Sequence, residues 1–91
     1  MNTVSMHSFG STLTDREDGK KAAQSIIDTT ASPIVLDFSE VVAVGSSFGE
    51  EVVLRVAVTQ ENRVTVLNAN NVVKISLKRV IEDTDVTISF E

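Results

Sequence analysis

The residues best suited to chemistry lie in Gly45-Ser46-Ser47-Phe48-Gly49, where two hydroxyls stand between two glycines. The run fits G-x-S-x-G, with Ser47 at the position of a nucleophile on a tight turn before a helix. A serine of that kind needs a histidine base, which follows it in the chain in the α/β-hydrolase fold. The single histidine here is His7, upstream. A chain of 91 residues is also too short for the sheet of that fold. Small residues before a helix are more simply a turn and a cap.

The remaining candidates are weaker. His7 has neither a cysteine nor a second histidine with which to hold a metal. Glu50 and Glu51 are adjacent, and neighbours on a helix point about 100° apart. They form no acid–base pair unless a third group joins them. Glu51 is the more interesting, because Arg55 lies four residues on, in the favourable orientation for an ion pair. No lysine follows a glycine run and no G-x-G-x-x-G is present, so nothing supports nucleotide binding. Neither a catalytic set nor a cofactor or metal site emerges.

Composition narrows the function classes. The formal net charge is −5, which argues against nonspecific contact with nucleic acid or anionic membrane. Cysteine is absent. A secreted domain this small usually needs disulfide staples, so a cytoplasmic location is expected. No apolar run approaches the roughly 20 residues of a membrane span. The amino terminus lacks the charged start and apolar middle of a signal peptide. One domain over 1–91 is expected, with an aliphatic, valine-rich core.

The elements that would position these groups follow from periodicity. Residues 2–6 alternate, with Val4 and Met6 on one side, as in a half-buried strand. Residues 9–12 suggest a turn. Thr14-Asp15-Arg16-Glu17 fits a capping box, with the Thr14 hydroxyl as cap. The helix that follows carries Gly19, Ala22, Ala23, Ile26 and Ile27 on one stripe, small enough for close approach to a sheet. Pro33 ends any continuation. Ile34 to Phe38 reads as a central strand, apolar on both faces until Asp37, as if covered on two sides. A short extended piece is allowed at 41–44.

Residues 47–60 carry conflicting signals. The valines favour a strand. The spacing of Phe48, Val52 and Val56, with Glu51, Arg55 and Thr59 opposite, favours a helix, and pattern with length outweighs propensity. Arg63 to Asn68 is a further strand. Asn70 caps a helix with Val73, Leu77, Val80 and Ile81 inward. Residues 85–90 form a last alternating strand. The order β-α-β-α-β-α-β predicts a small α/β layer domain. Its sheet would have about four strands, largely parallel or mixed, with helices packed on it. In such a sheet the loops after the strands share one edge. That edge would gather Asp37, Ser39, Ser46, Ser47 and the Asn68-Ala69-Asn70-Asn71 loop. Helix starts near Ser47 and Asn70 would favour negative charge there.

Three segments resemble a known family: Asp37-Phe38-Ser39 with Val41, then Gly45 to Glu51, then Asn68-Ala69-Asn70. Together they resemble the STAS-like family of small bacterial domains of unknown function. These are relatives of the STAS domains of sulphate transporters and anti-sigma-factor antagonists. Arg16 and Gly19 resemble the R-x-x-G near the family's first helix. The likeness spans roughly residues 10–81. It implies a non-enzymatic regulatory module that binds a protein partner, such as a histidine-kinase-like ATPase or an anti-sigma-type protein. It also implies structural roles for Arg16, Asp37, Phe48, Asn68 and Asn70. Antagonists of this kind carry D-[ST]-S-G at the turn and are phosphorylated on the residue after the aspartate. The overlay places Ser46 there, with Gly45 in place of the aspartate and Phe48 in place of the glycine. Ser46 is thus the phosphorylation candidate. Ser39, Ser46, Ser47, Glu50 and Glu51 are the candidate partner surface. The alternative is a sensor of a small ligand or anion that uses the same edge.

Overall fold

The computed structural model describes residues 2–91. It is an α/β domain with four parallel strands and three helices packed on them. β1 is Asn2–Ser5, β3 is Ile34–Asp37, β5 is Arg63–Leu67 and β6 is Thr87–Phe90. β2 (Thr12–Leu13) and β4 (Ala43–Val44) form a separate two-stranded parallel ladder. α1 is Arg16–Thr29 and α3 is Asn71–Ile81. Between them α2 runs from 46 to 58 in three stretches: Ser46–Gly49, a π-helical Glu50–Leu54, and Arg55–Val58.

The main sheet has the order β1-β3-β5-β6, so every crossover adds a strand to the same side. Right-handed crossovers that all step one way leave all their helices on one face of the sheet. The register shows the consequence. Val4, Leu36, Val66 and Phe90 lie side by side and face the helices. Thr3, Val35, Thr65 and Ser89 form the next row, on the opposite face. Ile34, Val35 and Leu36 are all buried, as expected of a strand covered on two sides, but of these three the core cluster takes in Ile34 and Leu36 alone. Val35 is buried but lies outside the core cluster, flanked in register by Thr3 and Thr65. The one-directional crossovers build no second helical layer over that face.

Two local expectations shift by a residue or two. Asp15, not Thr14, caps α1, and its Oδ2 accepts from the Asp18 N–H at 3.0 Å. A carboxylate accepts more strongly than a hydroxyl and adds negative charge where the helix dipole favours it. Residues 9–12 contain the end of a 3₁₀ turn (Met6–Phe9) and the first residue of β2, which pairs across to β4. Two-residue strands are too short to leave an alternation signal.

The helical reading of 47–60 holds, and the buried set explains its π segment. Phe48, Gly49, Val52, Val53, Val56 and Ala57 are all buried, a strict repeat of four. On a regular α-helix each step of four overshoots by about 40°. Two steps would carry Val56 and Ala57 about 80° round from Phe48 and Gly49, toward the edge of the buried face. A wider i→i+5 turn at 50–54 cancels that drift. Burying each of these valines contributes about 1.5–3 kcal/mol. Val56 is fully buried among other apolar side chains. Val56→Asp should therefore cost on the order of 3–5 kcal/mol by stranding a charge. Urea denaturation checks this, and an unchanged midpoint would remove Val56 from the core.

Candidate functional site

At the carboxyl ends of β3 and β5, Asp37 organises the first part of the site. Its Oδ1 accepts from the Ser39 N–H at 2.9 Å, the Ser39 hydroxyl at 2.7 Å and the Asn68 amide at 3.1 Å. The Ser39 hydroxyl, then the Ser39 N–H, then Asn68 hold the Asp37 carboxyl below its ordinary pKa. Asn68 reaches Asp37 from a left-handed backbone conformation (φ 58°), which asparagine tolerates well. Glu40 also has positive φ (66°), and its neighbour Val41 closes the turn onto the Phe38 carbonyl.

Asn70 ties this turn to α3. Its Oδ1 accepts from the Val73 N–H at 2.8 Å as the cap of α3. Its Nδ2 donates to the carbonyls of Val41 (3.1 Å) and Val42 (3.2 Å). The loop is held on its other side by β2. The Val42 N–H donates to Ser11 and the Gly45 N–H to Leu13, both at 2.7 Å. The segment from Ser39 to Gly45 is thus fixed from two directions.

Gly45 caps α2 through its backbone, and Ser46 is the first helical residue. The Ser46 side chain is exposed and that of Ser47 half-buried. A β-carbon at Gly45 would lie 3.2 Å from two Thr14 carbons, so the position is tight for any larger residue. Phe48 points into the core. Its backbone faces α1 at Gly19, where a β-carbon would lie 3.0 Å from the Phe48 Cα and carbonyl oxygen. The small stripe of α1 therefore serves approach to α2; at Gly19 the neighbour is a helix backbone, not the sheet.

The third group beside the two glutamates is Arg16. Its guanidinium donates to Glu51 at 2.6 Å and to Glu50 at 3.1 Å. Arg55 donates to the other Glu51 oxygen at 3.0 Å. Arg16 is the chief cause that lowers the Glu51 pKa, with Arg55 assisting, and the glutamates raise that of Arg16 in turn. The Glu51 side chain is only 13% exposed and committed to these two arginines, whereas Glu50 remains 43% exposed. This cation-bridged arrangement joins α1 to α2.

The residues singled out in the sequence thus fall into two linked groups. Asp37, Ser39, Asn68 and Asn70 build the strand-end turns. Arg16, Phe48, Glu50 and Glu51 join α1 to α2, beside Ser46 and Ser47. Sequence reasoning missed the Gln60 clamp at the opposite edge. Gln60 accepts from the Ile34 N–H and donates to the Arg63 carbonyl at 3.0 Å, so a side chain joins the starts of β3 and β5. Among the described residues, no cluster of three or more His, Asp or Glu could hold a metal. No described helix is long and apolar enough to cross a membrane. A shallow groove of about 380 Å³ runs along α1, lined by Phe9, Asp18, Lys21, Ala22, Ser25 and Phe48. No family model, curated protein or solved structure matches the chain.

The depressed pKa of Asp37 gives a pH signature. A carboxyl that ionises more readily folded than unfolded stabilises fully above its unfolded value, about 3.9. That contribution is lost as pH falls through the lower folded value. Asp37→Asn should therefore be less stable than wild type at pH 6, with the gap closing as pH falls below about 4. Urea midpoints of both proteins across that range check it; a gap independent of pH would contradict it.

Proposed function

We propose that the chain is a non-enzymatic regulatory module that binds a protein partner through the edge carrying Ser39, Ser46, Ser47 and Glu50. Glu51 holds that surface in shape. The observation that carries this reading is the Ser46 hydroxyl. It is exposed on the first residue of α2, on a turn that β2, Asn70 and the Arg16 bridge all immobilise. An exposed hydroxyl on a rigid turn can be presented to a kinase and, once modified, read by a partner. The resemblance to STAS-like domains supports the same role, cytoplasmic, with a histidine-kinase-like ATPase or anti-sigma-type protein as the class of partner. The aspartate that antagonists carry before the modified residue is replaced by Gly45, where Thr14 leaves little room for a side chain.

A phosphate on Ser46 adds about −1.5 to −2 charge at pH 7. The α2 dipole and its free N–H groups favour that charge by roughly 0.3–1 kcal/mol, so the fold should survive it. The effect falls on recognition, because the dianion would stand one turn before Glu50. The alternative, an anion sensor on the same edge, has less support. Asp37 keeps a carboxylate there, and Asn70 is spent on its own helix and on Val41 and Val42.

The test is calorimetry of wild type, Ser46→Ala and Ser46→Asp against a partner isolated by pull-down. Ser46→Asp should change affinity by at least about 1 kcal/mol, several-fold. Equal affinities for all three would leave a constitutive binding module without a switch. A metabolite that raises thermal stability by mass action would favour the sensor instead. Ser47 should carry no hydrolytic activity. Esterase assays of wild type and Ser47→Ala should both stay at background, and Ser47-dependent turnover would refute the non-enzymatic reading.

A further inference from the structure

The outer face of α3 carries an apolar patch that the fold leaves uncovered. Val72 and Ile75 are 57% and 52% exposed, although Val73, Leu77 and Val80 already fill the buried side of the helix. Val42 is 61% exposed, and its carbonyl is bonded to Asn70, the cap of the same helix. The cap thus sets the Val42 loop beside the first turn of α3. Val72, Ile75 and Arg79 stand at i, i+3 and i+7, one outward stripe, with Lys78 flanking it. Isolated exposed apolar side chains are ordinary; Val72 and Ile75 one turn apart, beside the loop that carries Val42, are not isolated.

Charge selects the occupant. The chain is acidic, at −5, yet α3 bears Lys74, Lys78 and Arg79 and no carboxylate from 71 to 81. None of the three forms an ion pair among the described residues. Lys78 lies over the Phe90 ring at 5.9 Å, on the β6 side of the helix. Glu82, Asp83 and Asp85 follow the helix and bound the positive stretch at its far end. A second copy of this face would be repelled by its own cations. A bilayer would find too few apolar side chains to insert, since the other stripe of α3 is committed to the core.

We infer that Val42, Val72, Ile75 and Arg79 form a docking surface for an acidic partner segment carrying two or three apolar side chains. The surface lies on α3 rather than on the α2 start, and it rests on the proposed function only in taking the occupant to be protein. Apolar contact would supply most of the affinity, and the cations orientation and rate.

The probe is a synthetic amphipathic peptide of about 16 residues, leucines on one face and glutamates on the other. It is titrated into the isotope-labelled 91-residue chain and followed by amide NMR shifts. Shifts should centre on Val42, Val72, Ile75 and Arg79. Binding should weaken several-fold from about 0.05 to about 0.3 M salt. Val72→Ser with Ile75→Ser should weaken it about ten-fold. Both positions are exposed, so the fold is expected to persist. Arg79→Glu provides a second arm that leaves the apolar patch intact, and it should weaken binding several-fold. Four results would overturn the inference: no localised shifts, equal binding of a peptide with lysines for glutamates, self-association through α3, or preferential binding to vesicles of phosphatidylserine and phosphatidylcholine. Loss of binding in Ser46→Asp but not in the α3 variants would assign the contact to α2 and overturn it as well. Failure of the Ser46 calorimetry leaves these outcomes unaffected.

Discussion

The middle helix is wedged between its neighbours at distances that leave little room for a β-carbon. At Gly19, α1 meets the backbone of Phe48, and at Gly49, α2 meets α3, where a β-carbon would lie 2.9 Å from Val80. Glycine inside a helix costs about 1 kcal/mol relative to alanine. Here that cost is offset by two helix contacts close enough for backbone to touch backbone or side chain. Protein interiors are packed too densely to absorb an extra carbon at both places without moving α2. The position of α2 decides where Ser46 and Ser47 stand, so the candidate surface depends on these two glycines.

The Arg16 bridge lies on the rim of the same contact. The arginines of this bridge are largely solvent-exposed, so water and salt screen the pairs and they add little stability. The guanidinium of Arg16 meets both successive glutamates in the rotation of α2 that the packing sets. The π turn at 50–54 acts on the same rotation from within the helix, since it keeps Val52, Val53, Val56 and Ala57 facing inward. Packing, turn width and ion pair thus converge on one setting of the α2 start.

Much of this was legible in the chain. The stripes of α1 and α3 and the alternation of β6 follow local geometry, in which period alone marks the buried side. The Asn70 cap and the Glu51–Arg55 pair are contacts between residues three or four apart, and both are present. Arg16, placed by the sequence near the first helix, reaches α2 through a contact with Glu51 across 35 residues.

What the sequence determined by itself was local: the kind and order of the main elements, their inward faces, and the small-residue turn before a helix. Tertiary structure decided what each face meets. The apolar run of β3 could not tell a two-sided sheet from a one-sided one, because crossover direction is a property of the whole chain. The repeat of four in α2 could not announce a π turn until the core required Phe48 and Val56 to face the same way. The small stripe of α1 announced a close approach but not its partner, since periodicity reports that a face is covered and carries no information about the surface that covers it.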